Sequence, residues 1–135
     1  MSKKAQQAKK EVAALIEKWA PKMGLTDWDF AIVTTESERP NHRAILAIDP
    51  DPAYFRGNIY IYPEFLNSPD SYKEEALVHE LCHCLNSEVI KLTGNVLDGK
   101  MVTQENFTDA VERLTQRMTK LVLNRRPRRH VLRDK

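Results

Sequence analysis

Residues 76–86 read A-L-V-H-E-L-C-H-C-L-N, and the five from His79 to His83 constrain this chain more than any other stretch. Two histidines four positions apart lie one above the other on an α-helix. In that register two imidazoles reach one metal ion, while Glu80, about 100° further round the helix, stands beside the metal rather than on it. The surrounding pattern is helical: Val78, Leu81, Cys82, Leu85, Val89 and Leu92 recur at three- and four-residue spacing as an apolar stripe. His79 and His83 fall on a different face, with Ala76, Asn86 and Ile90. The plainer alternative is a core helix covered by two half-buried histidines, with Glu80 an ordinary solvated charge. Two histidines bracketing a glutamate at this spacing are an odd way to cover a core, so the metal reading is the stronger. Zinc, Zn2+, suits the nitrogen and oxygen donors and keeps a position for water, whose pKa falls towards 7. Glu80 is then the expected general base, taking the water's proton as it attacks a carbonyl and passing it to the leaving amine.

At 135 residues, 41% hydrophobic and 30% charged, the chain has the makings of one domain with a single modest core. No apolar run approaches the roughly 18 residues needed to span a membrane, and the first residues lack the apolar stretch of a signal peptide. Cys82 and Cys84 lie two apart on a helix, so their side chains diverge by about 200° and cannot bridge each other. Free thiols point to a reducing, cytoplasmic compartment. The charge is uneven. Residues 124–135 hold six of the 21 Lys/Arg against one of the 19 Asp/Glu, so a mildly acidic body, residues 1–123, carries a basic tail.

Taken in order, Met1 to Met23 reads as a helix with Val12, Leu15, Ile16, Trp19 and Met23 on one face, weakened at Pro21 and stopped by Gly24. Trp28 to Thr34, Arg43 to Ile48 and Gly57 to Tyr62 read as strands, the second stopped by Asp49-Pro50-Asp51-Pro52. Alternation puts Ile59 and Ile61 on one face and Tyr60 and Tyr62 on the other. Ser71 and Glu74 form an expected capping box for the motif helix, which runs from about Tyr72 to Thr93 with Gly94-Asn95 as its stop. Thr103 caps a last helix with Phe107, Ala110, Val111, Leu114, Met118 and Leu121 as its stripe. The expected fold class is α+β: an N-terminal helix, a three-stranded mostly antiparallel sheet, the motif helix and a C-terminal helix.

With its H-E-x-x-H after three strands, the chain resembles a minimal zincin, and more narrowly the small zinc metallopeptidases encoded by bacteriophages and prophages. Gly24-Leu25 with Trp28, the strand at Gly57 to Tyr62, the block L-V-H-E-L-C-H and the acidic last helix carry the resemblance over about residues 10–122. The resemblance implies a gluzincin-type site, in which a glutamate of the following helix is the third metal ligand. Glu112 and Glu105 both fit, and Asp109 is a further candidate, as a ligand or as a partner orienting a histidine. If the motif helix continues to about Thr93 and the last helix returns antiparallel, His83 stands level with about residue 113, which favours Glu112. A break soon after Asn86 favours Glu105.

A peptide or protein substrate follows from this reading, in an extended form that could add to a sheet edge. Tyr54, Tyr60, Tyr62, Tyr72, His42 and Arg113 are the candidates for stabilising an oxyanion. The tail, residues 124–135, offers arginines for weak, salt-sensitive nucleic-acid contact, in the manner of SprT-like proteases that act on DNA-bound proteins. The competing reading is non-enzymatic: a zincin fold whose zinc is structural, in a phage assembly or a binding module.

Overall fold

Ser2 opens the first helix by accepting a hydrogen bond from the Ala5 amide at 3.0 Å, and α1 then runs Lys3–Trp19. The computed structural model describes residues 2–36 and 44–125. α1 stops at Trp19 rather than reaching Met23: Pro21 lacks the amide hydrogen a helix interior needs, and Pro21–Met23 form a separate 3-10 turn. Gly24 ends that turn at φ +72°, a conformation glycine adopts without strain. Val12, Met23, Leu25 and Trp28 are buried together.

Three strands follow, β1 (Asp29–Thr34), β2 (Leu46–Asp51) and β3 (Arg56–Ile61), in the spatial order β1-β3-β2. β3 pairs parallel with β1 and antiparallel with β2, so the sheet is mixed and not the mostly antiparallel meander expected from sequence. Two residues account for that order. Gly57 packs so closely between Phe30 and Ile48 that a Cβ there would come within 3.2–3.3 Å of both, which suits a central strand. Pro50 cannot donate to a ladder, which suits an edge.

β2 also runs through Pro50 to Asp51 instead of stopping at Ile48. The Tyr62 amide donates to the Ile45 carbonyl, and Ala47 and Asp49 stand two and four residues further along. The alternation of an antiparallel ladder therefore turns Ile45, Ala47, Asp49 and Asp51 towards β3, and Leu46, Ile48 and Pro50 off the open edge. Pro50 thus loses no ladder bond. On β3, Ile59 and Ile61 are buried and Tyr60 is half-buried on the opposite face, as alternation requires. Tyr62, just past the strand, is buried as well.

α2 runs Asp70–Leu97, longer than expected at both ends. It begins after Pro69, so Ser71 lies inside the first turn and the capping box does not form. Glu74 instead accepts from Lys18 at 2.7 Å and from the Trp19 indole at 2.8 Å, tying α2 to the end of α1. Gly94 is carried inside the helix, and the left-handed turn falls at Gly99. Leu77, Leu81, Cys84 and Leu85 face the core with Phe65, Ile59 and Ile61. α3 (Gln104–Arg125) is capped by Thr103, whose hydroxyl accepts from the Asn106 amide at 3.0 Å. Ala110, Leu114 and Leu121 form its inward side. The result is an α+β fold with three helices and one mixed sheet. Residues 126–135, which hold most of the basic tail, and residues 37–43, with His42, lie outside the described residues.

Candidate metal centre

One turn of α2 separates His79 from His83, and their rings meet edge to face with centroids 5.0 Å apart. Each of His79, Glu80 and His83 offers one donor atom within 4.8 Å of the other two, so these three side chains could hold a metal ion. Two imidazoles and a carboxylate suit zinc among the common divalent ions. The two kinds of donor sit in different surroundings. The His79 side chain is 68% exposed, whereas Glu80 is only 13% exposed, with its Oε2 3.9 Å from His79 Nε2. Burial pushes the Glu80 carboxyl above the usual glutamate range, opposed by the nearby histidines and by a hydrogen bond from the Ile48 amide.

That amide explains the placement of Glu80. Ile48 is one of the β2 residues turned off the sheet edge, so its N–H has no partner in β3 and is met by the carboxylate from α2. β2 and α2 run side by side, and a trough follows the line between them with Glu80 at its middle. On one side of Glu80 is a hollow of about 280 Å³ bordered by Leu46, Tyr72, Glu75 and His79. On the other is a wider one of about 780 Å³ bordered by Ile48, Pro50, His83, Ser87 and Ile90. Little in the sequence warned of this edge. Its one signal was Pro50, which marks a strand that cannot be central.

The structure does not bring the expected third ligand to the histidines. α2 does continue past Thr93, the condition under which Glu112 comes level with His83, but height along the axis is only half the geometry. The Arg113 guanidinium of α3 donates to Glu88 on α2 at 2.8 Å. Glu88 lies about 140° round the helix from His83 and about 180° from His79. α3 therefore packs on the far side of α2. Glu105, Asp109 and Glu112 are all exposed there, and none joins the close donor group.

The oxyanion candidates separate in the same way. Arg113 is committed to Glu88, Tyr62 is buried away from the trough, Tyr60 lies on the outer sheet face, and Tyr54 sits under the Arg56 guanidinium at 5.2 Å. Of the five candidates among the described residues, Tyr72 alone lines the trough. Neither cysteine is in a disulfide, Cys82 is half-buried and Cys84 buried, and burial pushes the Cys84 thiol up to about 12. Among the described residues no helix is long and apolar enough to cross a membrane. Compared with protein-family models, with curated proteins and with solved structures, the chain matches none.

Proposed function

We propose that this chain is a zinc-dependent peptidase-like hydrolase in which His79 and His83 hold the metal and Glu80 is the general base. The observation that carries the reading is the asymmetry within the donor group: two exposed imidazoles beside a half-buried carboxylate that accepts from a backbone amide. A bound zinc supplies a Lewis acid that brings the pKa of a coordinated water towards neutrality. Glu80, with its carboxyl raised by burial, is suited to accept a proton and to release it again to a leaving amine. The Ile48 amide holds that carboxylate in place. The edge of β2 that pairs with no strand among the described residues offers backbone groups to an extended polypeptide, which makes a peptide the natural substrate class. Reduced cysteines at 82 and 84 are in keeping with a cytoplasmic setting, and the arrangement is in keeping with the phage-type zincin resemblance.

A second reading has its own support. Because α3 stands away from the histidines, Glu80 is the third donor nearest to them, and a zinc that took Glu80 as a ligand would be a structural ion. Metal content by mass spectrometry separates the two. The hydrolase reading expects one zinc per chain, lost in His83→Ala and retained in Glu80→Gln together with loss of peptide hydrolysis. Loss of zinc in Glu80→Gln would move Glu80 from base to ligand, and absence of zinc from the reconstituted wild type would end both readings.

A further inference from the structure

The trough is unequal, and its wider arm has a feature the hydrolytic chemistry does not use. Ile90 is 56% exposed in spite of being apolar, and it sits seven residues beyond His83, two turns along nearly the same face of α2. Opposite it across the hollow stand Ile48 and Pro50 of β2, with Pro52 just past the strand. Ile48, Pro50 and Pro52 thus make the β2 wall of this arm largely apolar, Ile90 is the apolar residue of the α2 wall between Ser87 and Lys91, and the charged residues around it are Asp49, Asp51, Glu80 and Lys91. We propose that the wide arm is a side-chain subsite, with Ile90 on its α2 wall, that selects an apolar residue about three positions from the hydrolysed bond of an extended peptide.

The spacing sets the position. Seven helical residues advance about 10.5 Å, and an extended chain advances about 3.3 Å per residue, so a strand whose carbonyl lies at His83 presents its third residue at Ile90. Polarity follows from the direction of β2, which runs from the narrow arm at Leu46 to the wide arm at Asp51. Antiparallel pairing is the more stable ladder, and it places the N-terminal, acyl side of the peptide in the wide arm. The edge also dictates which backbone groups are used. Ile48 has its N–H engaged by Glu80, and Pro50 has none, so on this side β2 can only accept, through the Ile48 and Pro50 carbonyls. The peptide must therefore supply the N–H groups.

This inference rests on the hydrolase reading for its register, and the test keeps the two apart. Short peptide hydroxamates, whose chelating group fixes the chain on the metal, are titrated into the zinc-loaded protein. One leucine is walked through the second, third and fourth positions of a Ser/Gly host. Leucine at the third position is expected to bind on the order of tenfold more tightly than serine there, since burying its side chain removes apolar area from water. That preference should vanish in Ile90→Ser, and N-methylation of the peptide beside Pro50 should weaken binding. Amide shifts should appear at Ile48 and from Ser87 to Lys91. Equal affinity at all three positions, a preference that survives Ile90→Ser, or no binding at all would overturn the subsite. Hydrolysis of unmodified peptides by the wild type is followed separately. Cleavage without a third-position preference leaves the hydrolase standing and removes the subsite. A preference in binding without cleavage does the reverse.

Discussion

Lys73 offers the sharpest test of how the helix that carries the histidines is held against the rest of the fold. Its side chain is 9% exposed, and its ammonium group lies 2.7 Å from Glu11 of α1 and 5.1 Å from the centre of the Phe65 ring. Replacing Glu11 with glutamine keeps an acceptor of the same shape but leaves the cation in that setting without its closest counter-charge. Removing one partner of a fully buried pair costs about 3–5 kcal/mol. Here Glu11 is 28% exposed and the Asp70 carboxylate stands 3.7 Å away in full solvent, so water and a second acid offset part of that cost. A loss of about 1–3 kcal/mol in urea unfolding is therefore expected for Glu11→Gln. Lys73→Met removes the charge but keeps the length against Phe65 and should stay within about 1 kcal/mol of wild type; in that background Glu11→Gln should cost little.

The pH dependence of the same pair has a definite sign. The hydrogen bond from Lys73 holds the Glu11 carboxyl below its usual 4.5. Its contribution is thus fully present above the unfolded glutamate range and is lost as pH falls through the lower folded value. The acid limb of the stability curve should flatten in Glu11→Gln. A variant within 0.5 kcal/mol of wild type (roughly the scatter of surface substitutions), with an unchanged acid limb, would refute the reasoning.

Gly57→Val should destabilise by about 1–3 kcal/mol in the same assay, since its branches press on Phe30 and on Ile48 where added bulk already meets contacts of 3.2–3.3 Å. Glu112→Ala should keep its full zinc content and unfold like wild type, because Glu112 is exposed on the helix that packs behind the site; loss of metal in that variant would show that α3 reaches the histidines. Iodoacetamide at pH 8 followed by peptide mapping should label Cys82 well before Cys84, whose thiol stays neutral at that pH with a pKa of about 12. If zinc is bound, a chelator should lower the unfolding midpoint of the wild type and leave that of His83→Ala unmoved, since only the folded chain presents the paired imidazoles.

Local chemistry was legible in the sequence. The spacing of His79, Glu80 and His83 requires nothing beyond the pitch of a helix, and the apolar periodicity around them is enough to specify that helix. Thr103 as a cap, the shared face of Ile59 and Ile61, and the two thiols that cannot pair follow from the same short-range geometry. Where neighbouring signals competed, the boundaries moved. Ser71 and Glu74 have the spacing of a capping box, but Glu74 finds Lys18 and Trp19 more than fifty residues away, and no local rule anticipates that exchange.

Tertiary structure decided what faces the site. Strand order depends on which residues tolerate the centre of a sheet, and the inference from Pro50 and Gly57 becomes compelling only once all three strands are seen together. The third ligand shows the limit most clearly: sequence supplies the length of α2 and so the height at which Glu112 returns, but the side of α2 on which α3 packs is set by distant contacts. With α3 packed on the side of α2 away from the histidines, Arg113 meets Glu88 and Arg117 meets the Gly24 carbonyl. Spacing along one helix is a covalent property of the chain, whereas the azimuth between two helices is a property of the packed core.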